Sequence, residues 1–215
     1  MKPEFDSVLH LLHGAASGTL ATHSLQLPGY PFASALPFVP DEAHRPVFLV
    51  SGLAEHTKNL LADRRASFLV TGNGESLLAG PRITLLGDAL RTDASPELQA
   101  RYLRYQPDAE QYLSLGDFAF FVLQPKRVRA IAGFAQMGWL EEADWHDATV
   151  LTLADEAGLI QDLLGDLPPR VRLLGLDCYG IDFERQGKRE RQRFPNMLDS
   201  VEQIRLSARR LLGAL

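Results

Sequence analysis

Hydrophobic and polar positions divide the chain into three textures. Phe5, Val8, Leu9 and Leu12 recur at helical spacing, which predicts a short opening helix with one apolar face and Gly14 as its C-cap. From Ser17 the pattern changes to short runs bounded by Gly, Pro or Asp: SGTLATHSLQ, FASALPFV, PVFLVS, ASFLVTG, RITLLGDAL, DFAFFVLQ and RVRAIAGF. These predict seven strands. Two helices interrupt them, one over Glu55 to Asp63 and one opened by Ser95, whose Ser-Pro-Glu run supplies an N-cap followed by proline. Regular strand and helix alternation is missing, so an antiparallel α+β barrel fits better than a parallel βαβ sheet.

The third texture follows the aromatic-rich GFAQMGWL segment. A boundary between Asp144 and Thr149 divides the chain into units 1–147 and 148–215. The second unit reads as a helix in LADEAGLIQDLLG, strands RVRLLGLD and GIDFERQ, a turn at Gly187, a strand RERQRF and a final helix. That last helix opens with a Ser200–Gln203 capping box and carries Val201, Ile204, Ala208, Leu211 and Leu215 on one face.

Composition sharpens this picture modestly. With 215 residues, 46% hydrophobic and 23% charged, the chain can bury a true core. A formal net charge of −5 argues against a surface that neutralises many nucleic-acid phosphates. The single Cys178 forms no internal disulfide, no Cys/His spacing resembles a structural zinc site, and no metal is expected. No apolar run approaches the ~20 residues of a membrane span and no signal-peptide pattern opens the chain, so a cytoplasmic protein is expected.

Candidate chemistry concentrates in FLVSGLAEHTKNLLADRRASFLV, where Ser51, His56, Thr57, Lys58 and Asn59 gather between a strand and the first turns of a helix. Unpaired N–H groups and the dipole at a helix N-terminus suit a phosphate, with hydroxyls and a cation to complete the cradle. A capped, solvated helix start is the plain alternative. His10 and His13 sit at i, i+3 spacing on the opening helix, which is compatible with a metal pair, although two inert surface histidines are the favoured reading. Asp63-Arg64-Arg65 and Lys188-Arg189-Glu190-Arg191 read as solvated charge runs, and Cys178 has no basic neighbour to activate it.

The ordered series TLAT, YPFASALPF, LVSGLAEHTKNL, PRITLLGDA, YLRYQPDAEQYLSLGDFAFFVLQP and RAIAGFAQMGW resembles the pyridoxamine 5′-phosphate oxidase-like split barrels, in their haem-utilisation branch. The tail resembles the small α/β domain that follows the barrel in that branch. This resemblance implies an FMN-binding antiparallel split β-barrel and a homodimer with its ligand at the subunit interface. By the same resemblance Ser34, Ala35 and Leu36 border the flavin ring. Ser51, His56, Thr57 and Lys58 surround its phosphate, Arg82 reaches the pyrimidine side, and Trp139 borders the cleft. The expected activity is that of a flavin-dependent oxidoreductase acting on a small or haem-like substrate. Haem is the alternative ligand, in a binding or storage protein without catalysis. Phe38 replaces a cation of the true oxidase, and the branch's usual tail histidine is absent, since the six histidines are His10, His13, His23, His44, His56 and His146.

Overall fold

A computed structural model describes residues 2–72, 80–133 and 136–215. Phe134 and Ala135 of the GFAQMGWL segment therefore lie outside the described residues. The chain opens with helix α1 (Phe5–Gly14), then strands β1 (Ser17–His23), β2 (Pro31–Pro37), β3 (Val39–Pro40) and β4 (Pro46–Ser51). Helix α2 (Glu55–Ala62) leads into β5 (Arg65–Thr71) and β6 (Arg82–Thr92). Helices α3 (Pro96–Tyr105) and α4 (Glu110–Leu113) precede β7 (Phe118–Gly133), β8 (Gln136–Glu141) and α5 (Glu142–His146). The tail consists of α6 (Leu153–Leu163), β9 (Val171–Asp177), β10 (Gly180–Arg185), β11 (Lys188–Arg193) and α7 (Val201–Leu212).

Strands β1 to β8 form one sheet in the order β2-β1-β5-β6-β7-β4-β3, with β8 also on β7, and every pairing is antiparallel. The α+β split-barrel architecture is as expected, with differences in strand count. DFAFFVLQ and RVRAIAGF are one 16-residue strand, β7, which pairs first with β4 and later with β8. FASALPFV divides into β2 and β3. The run through Pro125 survives because that proline, which has no N–H to donate, sits at a bulge opposite Gly87. A Cβ at Gly87 would collide with the Gln124 carbonyl oxygen, so only glycine allows this approach.

Helix α1 buries Val8, Leu9 and Leu12 against the sheet interior, in a core shared with Leu20, Phe68, Ile83 and Leu85. Gly14 is the last helical residue, and the cap falls on Ala15 in extended backbone. The same core continues into the tail through Leu159, Leu163, Ile181, Phe183, Ile204 and Leu212. Helix α3 starts as anticipated: Ser95 Oγ accepts from the Leu98 N–H and Pro96 fills the first turn. Among the described residues no helix is long and apolar enough to cross a membrane.

Candidate functional site

Strand alternation decides which of the expected ligand-binding residues share a surface. Cross-strand partners run in a row from Ala35 through Thr19, Leu69, Thr84 and Arg129 to Trp139. The next row is Ala33, Ala21, Ser67, Leu86, Arg127 and Glu141, and Arg82 lies one row to the other side, between Thr71 and Ile131. Direct partners in an antiparallel ladder project from the same face. Residues between these rows, such as Leu20, Phe68, Ile83, Leu85 and Val128, are buried. Thus Ala35, Arg82 and Trp139 lie on the outward face, whereas Ser34 and Leu36 turn inward.

The outward face is small and aliphatic toward β1 and β2, and cationic toward β7. Arg127 and Arg129 both lie over the Trp139 ring, 4.3 and 5.2 Å from its centroid, which pins the indole. Arg127 also bonds Glu141 at 2.9 Å. At the opposite corner, exposed His23 ends β1 beside a cleft of about 460 Å³, whose other lining residues include Arg65, Ser67, Leu86 and Lys126. Arg65 is paired with Asp63 and Lys126 with Glu142, both on the surface.

The expected phosphate cradle is assembled differently. Ser51 Oγ donates to Asp117 at 2.6 Å and accepts the Leu53 N–H at 3.1 Å, so its hydroxyl already serves a carboxylate and a turn. His56 Nδ1 is 3.1 Å from Ser34 Oγ, and burial lowers this imidazole's pKa. Thr57 is buried with its hydroxyl unpartnered, Lys58 is exposed, and Asn59 bonds Thr22 and the Leu25 N–H. Asp117 stands against Ser51 and Glu55 in the first turn of α2, with Lys58 the one cation of the expected set, and this donor set does not fit a phosphate dianion.

Haem makes different demands: an apolar plate, cations for its propionates and an accessible imidazole. The outward face meets all three, with Ala21, Ala33, Ala35, Leu69 and Leu86 as the plate. Arg127 lies three strand spacings from Ala21, roughly 14 Å.

Sequence reasoning missed a second constellation altogether. His13, expected on the surface, is buried, as are His44, Asp177, Asp182 and Arg191. Arg191 belongs to a run expected to be solvated; it instead binds Asp182 at 2.6 Å and Asp177 at 2.9 Å. Arg101 and Arg104 pair with Glu156, and the Tyr105 hydroxyl donates to Asp182 at 2.5 Å. Burial pushes the Asp177 and Asp182 carboxyls up, but Arg191 and the neighbouring imidazoles outweigh it and hold both well below the usual range. Burial drives His44 down to about 3. Cys178 is buried beside Asp177, its thiol pushed up to about 11, in accord with an inert role.

The family described as CREG, beta-barrel matches residues 9–147. The Arabidopsis thaliana protein named Noncanonical heme oxygenase HOZ, chloroplastic, is 37% identical over 132 residues, covering 60% of this chain and 40% of that protein. The chain thus spans well under half of that relative. A structure titled as a heme binding protein from Mycobacterium smegmatis is 26% identical, with a TM-score of 0.64, covering 100% of this chain and 98% of that one. A protein of unknown function from Agrobacterium tumefaciens, 23% identical, reaches a TM-score of 0.75 over 100% of this chain and 98% of its own, a likeness of fold.

Proposed function

Because the chain belongs to the CREG-type β-barrel family, we propose that it is a haem-binding protein that seats the macrocycle on the outward face of its sheet. The observation that carries this reading is the layout of that face. His23 stands at one corner beside a cleft of about 460 Å³, aliphatic residues form the middle, and Arg127 and Arg129 lie at the far edge. His23 is the iron ligand in this reading, and the arginines hold the propionates. The names of the Arabidopsis and mycobacterial relatives support the ligand class. Leu69 and Leu86, exposed at 37% and 38%, are apolar surface on the same face, and a second copy of the chain is proposed to cover the bound ligand there.

Titration of the purified chain with haemin, followed by the Soret band, tests the reading. Saturation at one haem per chain is expected, with at least tenfold weaker binding in His23→Ala and a smaller loss in Arg129→Ala. Sedimentation with and without haem checks the dimer. The absence of any Soret shift, or a titration identical in wild type and His23→Ala, overturns the assigned site. Haem consumption under a chemical reductant would extend the function from binding to cleavage, the activity named for the Arabidopsis relative.

A further inference from the structure

The end of α1, the turn between β3 and β4, and the β9–β10 hairpin bring three ligand-type side chains together in the interior. His13 Nε2 lies 3.0 Å from His44 Nδ1. Asp177 Oδ2 lies 3.5 Å from His13 Nδ1 and 4.0 Å from His44 Nδ1. We propose that His13, His44 and Asp177 bind a divalent transition metal of the zinc type, which fastens the opening helix and the β3–β4 turn to the C-terminal hairpin.

Distances and partners both support the site. Zinc bonds to nitrogen and oxygen of about 2.0–2.2 Å give ligand-to-ligand edges of about 3.3 Å in a tetrahedron. The observed separations of 3.0 and 4.0 Å between His44 Nδ1 and its two neighbours bracket that edge. The three-residue set leaves one position for water.

The surrounding groups are those of a supported metal site. Asp182 Oδ2 lies 2.8 Å from His13 Nδ1, and an ionised carboxylate only accepts, so that nitrogen donates and Nε2 is left to face His44. Arg191 and the Tyr105 hydroxyl hold Asp182 in turn. Asp177 Oδ1 accepts the Tyr179 and Gly180 N–H groups at 2.7 and 3.1 Å, and Oδ2, which accepts from Arg191 at 3.0 Å, is the carboxylate oxygen turned toward the two imidazoles. His44 reaches its place through left-handed backbone, with φ of 59°.

The test uses the full-length, haem-free chain stripped with chelator and then titrated with Co²⁺ alone. One equivalent per chain, the visible d–d bands of a tetrahedral nitrogen and oxygen site, and displacement by Zn²⁺ are expected, with a rise in melting temperature on Zn²⁺ addition. His44→Gln should abolish stoichiometric uptake, whereas His146→Ala, a change at an exposed helix-end residue, should leave it intact. The wild-type result stands by itself if His44→Gln does not fold. A wild-type chain that takes up neither metal overturns the proposal, and the 3.0 Å contact is then a simple imidazole hydrogen bond. Uptake that persists in folded His44→Gln, or disappears in His146→Ala, overturns it as well.

Discussion

At the residue scale, the strongest constraints lie where charge enters apolar surroundings. Arg101 falls on the same helical stripe as Leu98, Tyr102 and Tyr105, and Glu156 shares a stripe with Leu159, Ile160 and Leu163. Both stripes are visible in the sequence, and a charge on each marks a buried pair that could have been inferred. The His13–His44 contact carries no such signal, because its partners are 31 residues apart with no ligand spacing between them. Asp182 is the keystone, accepting from Arg191, Tyr105 and His13. Asp182→Asn puts an NH₂ group where the Arg191, Tyr105 and His13 donors need an acceptor, while Asp177 still pairs with Arg191, so a loss of about 1–3 kcal/mol in unfolding free energy is expected. Urea denaturation of the two chains measures it, and a loss below about 1 kcal/mol would contradict the network's role.

At the element scale, the period-two alternation of strands explains why the expected flavin-side triplet separates. Ser34, Ala35 and Leu36 are consecutive, and consecutive strand residues cannot share a face. Only Ala35 reaches the surface occupied by Arg82 and Trp139. Strand existence was legible from apolar runs and turn residues, but the fusion of two expected strands into β7 was not. Pro125 reads as a terminator, and only its position opposite Gly87 at a bulge permits the ladder to continue. Gly87→Ala should therefore lower stability by about 1–3 kcal/mol, since the added methyl meets backbone and not a flexible side chain. A drop in melting temperature of several degrees is the expected readout, and an unchanged melting temperature would show that the bulge can relax.

At the scale of the whole molecule, pH acts through imidazoles that the fold keeps uncharged. Burial lowers His44 to about 3, and burial with the nearby Arg193 and Arg191 charges lowers His10 to about 4, against 6.5 for a free imidazole. Below pH 6.5 the unfolded chain therefore binds more protons than the folded one, and stability falls as the pH drops from 6.5 toward 4. Asp177 and Asp182, held down by Arg191, add to the loss at still lower pH. Urea midpoints at fixed ionic strength should be flat above pH 7 and decline steadily through this window; a midpoint that rises on acidification would reverse the assignment. The sequence by itself determined the α+β class, the short antiparallel strands, the capped helices and the family likeness, because these depend on patterns within a few residues of one another. Tertiary structure alone decided which outward residues form a common face, and that helix α1, a turn and the C-terminal hairpin enclose a charged network. Both depend on register and on contacts as distant as the 169 residues between His13 and Asp182, where the chain's local pattern holds no record of its partner.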